Sequence, residues 1–94
     1  MSLVACISVG NSDNKLSQQE FSSYVNQVDF IIDKYCNKKH FFGGSNTYDA
    51  WQNVTWVVEL EEIYLGNLEV HLEFTRRYFK QDSVFILVGV GKFI

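Results

Sequence analysis

Asn53-Val54-Thr55-Trp56-Val57-Val58-Glu59-Leu60-Glu61 is the stretch on which the fold turns. Val54, Trp56, Val58 and Leu60 alternate with Asn53, Thr55, Val57, Glu59 and Glu61. A two-residue period carried by β-branched and aromatic side chains is the pattern of a strand buried on one side. Such a strand needs neighbouring strands at both edges and a helical layer over its apolar face.

The flanking segments supply both. Leu3–Val9 is an apolar run of strand length, closed by Gly10 and the turn-forming cluster Asn11-Ser12-Asp13-Asn14. Ser17 and Glu20 then form an S-x-x-E capping box, with Leu16 and Phe21 in the two positions of a hydrophobic staple. Phe21, Val25, Val28, Ile31 or Ile32, and Tyr35 recur at three- and four-residue steps, which predicts a helix from about Ser17 to Cys36. Asn37-Lys38-Lys39 reads as its exit loop, with cations suited to a helix C-terminus. His40-Phe41-Phe42 begins a second strand, which Gly43-Gly44-Ser45-Asn46 breaks or bulges before Thr47-Tyr48. Asp49-Ala50-Trp51-Gln52 turns into the central strand. Downstream, Leu65, Leu68, Leu72, Thr75 and Phe79 share a helical face, and Glu73 and Arg77 form an attractive pair on the solvated side. Gly66 weakens the first turn, so this helix is expected to start near Asn67. It ends at Lys80-Gln81-Asp82, and Ser83–Val90 is a last apolar run with Gly89 and Gly91 at its end.

The order β-α-β-β-α-β over residues 1–94, one α+β domain, folds into a four-stranded antiparallel sheet with both helices on one face, the ferredoxin-like arrangement. The first and third strands lie in the centre. A sheet covered on one side should be polar on the other. Here Phe85 and Leu87 oppose Val84, Ile86 and Val88, and Val57, Val4 and Cys6 interrupt the polar sides of the two central strands. The uncovered face is therefore apolar, which marks an interaction surface. A homodimer through Val57, Phe85 and Leu87 satisfies it most simply, because identical faces are self-complementary under a two-fold axis. The alternative is cover from within the chain, by Gly91–Ile94 or the Tyr48–Trp51 loop.

Composition narrows the function classes. Eight Phe, five Tyr and two Trp with 47% hydrophobic residues exclude a disordered tail, and no run of about eighteen apolar residues offers a membrane span. A net charge of −3 argues against nucleic acid as the main partner. Met1-Ser2-Leu3 carries no signal-peptide pattern, and Cys6 and Cys36 read as buried free thiols, which together indicate a reducing cytoplasm. The Asn53-Val54-Thr55 sequon is then idle.

No segment presents a complete catalytic or cofactor motif. Cys6-Ile7-Ser8-Val9-Gly10-Asn11 resembles the first-strand motif of RNA recognition modules, but Ser8 stands where a base-stacking aromatic is needed. Asp13 resembles the aspartate after the first strand of CRISPR-type dimeric nucleases, without the rest of their pattern. His40 and His71 have no neighbours at metal-ligand spacing, so no metal site is assigned. Glu59, Glu61 and Glu62 form an acidic rim, where repulsion between Glu59 and Glu61 would raise one carboxyl toward general-acid use. Gly89-Val90-Gly91-Lys92 lacks the spacing and the Ser or Thr of a phosphate loop. Lys38-Lys39 and Arg76-Arg77 read as solvated charges.

Ile7-Ser8-Val9-Gly10-Asn11-Ser12-Asp13 before a capped helix, Trp51-Gln52-Asn53 before the central strand and Tyr78-Phe79-Lys80-Gln81-Asp82-Ser83 before the last resemble small uncharacterised proteins of bacteriophages and their hosts. That resemblance implies an accessory protein and no activity. The leading expectation is a non-catalytic homodimeric interaction protein without cofactors. A second is an enzyme or small-molecule binder that resembles the dimeric α+β barrel, cofactor-independent monooxygenases, with His40, Phe41, Tyr48, Trp51 and Trp56 lining a pocket between sheet and helices. A third, nucleic-acid binding, predicts a steeply salt-dependent affinity.

Overall fold

The computed structural model describes residues 2–45 and 52–94. Along the chain run β1 (Ser2–Gly10), α1 (Gln18–Tyr35), β2 (Lys38–Gly44), β3 (Asn53–Glu61), α2 (Leu65–Tyr78) and β4 (Phe85–Gly89), with single 3-10 turns at Ser12–Asn14 and Glu62–Tyr64. The strands form one antiparallel sheet in the order β2-β3-β1-β4, so β1 and β3 are central and the fold is ferredoxin-like. No helix among the described residues is long and apolar enough to cross a membrane.

Alternation in the two central strands builds the core. Ala5, Ile7 and Val9 of β1 and Trp56, Val58 and Leu60 of β3 are buried beneath Phe21, Tyr24, Val25, Val28, Ile31 and Ile32 of α1 and Leu68 and Leu72 of α2. The register opposes Ile7 to Trp56 and Ala5 to Val58, so the inward side chains of the two strands form one layer. α1 begins where its cap dictates. The Glu20 amide donates to Ser17 Oγ (3.1 Å), and the Ser17 amide donates to Glu20 Oε1 (2.9 Å). That second bond holds the Glu20 carboxyl below its usual pKa, and the pair satisfies two amides that the first turn would otherwise leave open.

Four segments differ from the sequence reading. Lys38 and Lys39 belong to β2, not to an exit loop, because the Asn37 amide already donates to the Glu59 carbonyl (2.8 Å) and zips the chain onto β3 directly after the helix. The register shift in β2 falls between Lys39 and Phe41, at His40, while Gly43 and Gly44 continue the strand. Gly44 permits this, since a Cβ there would lie 2.1 Å from the Asn53 carbonyl oxygen. α2 begins at Leu65, two residues before Asn67, because the Glu62–Tyr64 turn feeds directly into it. β4 is shorter than Ser83–Val90, pairing with β1 only over Phe85–Gly89. The expected Thr47-Tyr48 strand and the Asp49–Trp51 turn lie outside the described residues.

A buried polar bolt closes the end of the sheet where β1 stops. Asn11 exchanges hydrogen bonds with Leu16, its Oδ1 accepting from the Leu16 amide and its Nδ2 donating to the Leu16 carbonyl, both 2.9 Å. Gln81 accepts from the Ser12 amide (2.7 Å) and donates to the Phe79 carbonyl (3.1 Å). Arg76, read as solvated, donates to the Gln81 carbonyl (2.9 Å) and fixes the α2–β4 loop instead. Asp13 and Asn14 take left-handed φ of 53° and 54°, the conformation such turn residues tolerate best after glycine.

Candidate functional site

The sheet face away from the helices gathers the residues that the fold leaves unexplained. Val4, Cys6 and Ser8 of β1 alternate with its buried residues, as do Thr55, Val57 and Glu59 in β3 and Phe85 and Leu87 in β4. Three rows result: Val4 lies between Glu59 and Gly89, Cys6 between Val57 and Leu87, and Ser8 between Thr55 and Phe85. Phe85 and Leu87 are 56% and 63% exposed, whereas Val84, Ile86 and Val88 pack toward the helices. Val57, Phe85 and Leu87 thus share one face that no helix among the described residues covers, and the Tyr48–Trp51 loop expected as an alternative cover lies outside the described residues.

The bulge in β2 completes it. Lys39 pairs with Val58 and Phe41 with Val57, so His40 has no partner of its own on β3. This extra residue keeps Lys39 and Phe42 on the helix side while Phe41 falls on the open side. Phe42 stacks on Trp56 with ring centres 5.3 Å apart. Lys39 Nζ reaches Asp29 (2.7 Å) and Asp33 (3.1 Å) of α1, and Trp56 Nε1 donates to the same Asp29 carboxylate (2.9 Å). Burial alone would raise the Asp29 carboxyl, but hydrogen bonds from Lys39 and Trp56 outweigh it and hold the pKa below the usual value. Lys39 is correspondingly raised, chiefly by its bond to Asp29. It is therefore not a solvated charge.

Two pairs of polar side chains on the open face are bonded to one another. The Ser8 and Thr55 hydroxyls share a short hydrogen bond, and His40 Nε2 lies 2.8 Å from Glu59 Oε1. Glu59 is therefore engaged by His40 and not simply one member of an acidic rim. After β4 the chain crosses one end of this face. Gly91 sits against Val4, where a Cβ would come 2.7 Å from Val4 Cγ2, and the Phe93 ring lies 5.2 Å from that of His40. Residues 90–94 thus span the Val4–Glu59–His40 end, and Cys6, Val57, Leu87, Ser8, Thr55 and Phe85 lie beyond them.

The alternative pocket does not assemble. Trp56 has no exposed surface and fills the core beneath α1, while His40 and Phe41 stand on the opposite side of the sheet; Tyr48 and Trp51 lie outside the described residues. A cleft of 270 Å³ between α1 and the start of β3 is lined by Phe21, Val25, Ser45 and Val54 and opens to solvent. A larger groove of 740 Å³ runs along the outside of the helix pair, past Leu16, Phe74, Tyr78 and Phe79. Among the described residues no cluster of three His, Cys, Asp or Glu side chains is placed to hold a metal ion; His71 bonds the Tyr35 hydroxyl (3.1 Å). Both thiols are free and half-buried, Cys6 on the open face and Cys36 at the end of α1. Burial, with the nearby Asp33 charge, pushes the Cys36 thiol up to about 11, which makes it a poor nucleophile. Sequence periodicity passed over Tyr24, which is buried against Phe79 (ring centres 5.0 Å) with no hydrogen-bond partner for its hydroxyl among the described residues.

No family model matches the chain, and no curated protein matches it. Among solved structures it is similar to a de novo designed protein, Foldit4, at 9% identity and a TM-score of 0.69, covering 98% of this chain and all of that one. It is also similar to a dimeric ferredoxin-like protein from an uncultured marine organism, at 10% identity and a TM-score of 0.50, covering 99% of this chain and 91% of that one. At these identities the likeness establishes the ferredoxin-like fold and nothing further.

Proposed function

We propose that this is a non-catalytic interaction protein that pairs with a second copy of itself through the open sheet face. The observation that carries the proposal is the makeup of that face: exposed apolar side chains around polar groups already paired with each other. Burying the Ser8–Thr55 pair against a partner leaves each hydroxyl its hydrogen bond, so the usual penalty of about 1–3 kcal/mol for an orphaned polar group does not arise there, and the charged His40–Glu59 end with Lys38 belongs at the wet rim. Phe41, Phe85 and Leu87, each more than half exposed, supply the gain at about 25 cal/mol per Å² removed from water. The solved ferredoxin-like neighbour is itself described as dimeric, which supports the same reading here. The resemblance to phage and prophage proteins extends the proposal to an accessory role in such a genome; gene neighbourhood tests that part.

Sedimentation equilibrium from sub-micromolar to about 100 µM covers the range in which an interface of this class declares itself. A dimer is expected, and Phe85→Glu should dissociate it by at least about 100-fold, because an unpaired carboxylate would be buried at the contact. Phe85 is exposed in the single chain, so the substitution leaves the fold intact. A chain that stays monomeric throughout overturns the proposal.

A further inference from the structure

Residues 90–94 cross the open face, and their side chains decide whether they cover it or enlarge it. A cover would turn its apolar groups toward the sheet. Here Gly91, without a side chain, is what touches Val4, while Val90 and Phe93 are 79% and 73% exposed and Ile94 is fully exposed. Phe93 meets the sheet side at His40, ring centres 5.2 Å apart, with most of its surface left exposed. Among the described residues no backbone hydrogen bond holds the segment down. It is seated by a glycine and directs its apolar groups outward.

We infer that residues 90–94 form part of the surface that meets the second copy, extending the contact beyond the Cys6 and Ser8 rows. The inference rests on the dimer reading above. Area is what argues for it. From their fractional exposures, Phe41, Phe85 and Leu87 present about 300 Å² and Val90, Phe93 and Ile94 about 500 Å². A standard interface takes about 800 Å² from each partner. Phe41, Phe85 and Leu87 fall well short of that even with the half-buried Val4, Cys6 and Val57 beside them, and the segment's apolar surface exceeds that of the three together. The partner is a second copy because the same composite of paired polar groups and outward apolar groups then faces itself across a two-fold axis.

The test compares the full chain, a chain shortened to residues 1–89, and a full-length Phe93→Glu/Ile94→Glu variant by sedimentation equilibrium, with circular dichroism and urea melts to confirm that each is folded. Both altered proteins are expected to dissociate at least tenfold more readily than the full chain. The double variant keeps the inference testable if shortening perturbs β4. A full-chain dimer that Phe85→Glu breaks, but that the shortened chain and double variant form equally well or more tightly, overturns this inference and leaves the dimer standing. A full chain that is monomeric to about 100 µM overturns both.

Discussion

Deleting His40 tests the architecture of β2, and with it the way the two Phe residues are divided between the faces. Lys39 pairs with Val58 and Phe41 with Val57, consecutive positions on β3. Removing the residue between them joins Lys39 to Phe41 in regular register, so Lys39 still reaches Asp29, Phe41 stays on the open face and Phe42 stays on Trp56. The loss is the His40–Glu59 bond, whose side chains are 22% and 26% exposed, worth about 1 kcal/mol. Partly offsetting it is a ladder freed of its irregularity, at about 0.5–1 kcal/mol. The net cost should be about 1 kcal/mol or less, a shift of no more than about 1 M in the urea midpoint of a domain this size. Deleting Lys39 instead also removes the bulge, but puts His40 opposite Val58 and strips the ammonium from Asp29 and Asp33. That deletion should cost about 1–3 kcal/mol more. Urea melts followed by tryptophan fluorescence and far-ultraviolet circular dichroism compare the two. The reasoning fails if deleting His40 costs more than about 3 kcal/mol, or if the two deletions are equally damaging.

Tyr24→Phe removes a buried hydroxyl without a hydrogen-bond partner among the described residues and should be neutral or stabilising by up to about 1 kcal/mol. Burial, against the opposing charge of Arg76, pushes Tyr24 up to about 12. The folded state therefore keeps a proton that the unfolded chain loses near pH 10; stability should be level below that and fall by about 2–3 kcal/mol as pH rises toward 12. Raised Lys39 acts in the same direction, so urea midpoints at pH 8 and pH 11.5 should show a smaller alkaline loss in Tyr24→Phe, and an equal loss in both proteins would refute the assignment. Gly66→Ala, where no atom lies within 4 Å of the new Cβ, should stabilise α2 by about 1 kcal/mol. Gly44→Ala should instead destabilise by about 2 kcal/mol or more through its clash with the Asn53 carbonyl, and thermal melts of the pair with the same sign would contradict the β2–β3 geometry. Ser8→Ala leaves Thr55 without its hydroxyl partner, which costs little in water and about 1–3 kcal/mol if the face is buried. Its effect on the dimer dissociation constant should therefore exceed its effect on monomer stability, as sedimentation and dilute-sample melts can compare.

Where a side chain's environment is set by its neighbours along the chain, the sequence was legible. The Val54-Trp56-Val58-Leu60 alternation and the Ser17–Glu20 capping box depend on residues two or three positions away, and both stand as read. The pairing order followed because two strand-helix-strand units leave few topologies. What local pattern did not reveal was set by contacts distant in sequence. His40 is a bulge only because Lys39 meets Val58 and Phe41 meets Val57 across a connection. Lys39 looked solvated because Asp29 and Asp33 lie in another element. Tyr24 lies on the buried stripe, three residues after Phe21 and four before Val28, but a phenol fits a helix surface as well as a core until Phe79, distant in sequence, packs against it. The pocket reading failed for a related reason: His40, Phe41 and Trp56 are close in the sheet, but pleat and bulge send them to opposite sides.

Water satisfies the polar groups of an exposed surface without help, so pairing among them confers little there. On a surface that becomes buried, each unpaired hydroxyl or carboxylate costs about 1–3 kcal/mol. Both sides of this sheet pair most of their polar groups, the Tyr24 hydroxyl of the helix layer being an exception. On the helix side the polar atoms that approach the core, Trp56 Nε1 and the Asp29 carboxylate, are bonded to each other and closed by Lys39. On the open side Ser8 is bonded to Thr55 and His40 to Glu59, although no helix covers them. In β2 the pleat alone sends Lys39 and His40 to partners at opposite faces, and the one irregular ladder step lets Phe41 join His40 on the open side while Phe42 returns to Trp56. On the dimer reading proposed above, that step sets a further phenylalanine, Phe41, on the face that would meet the partner.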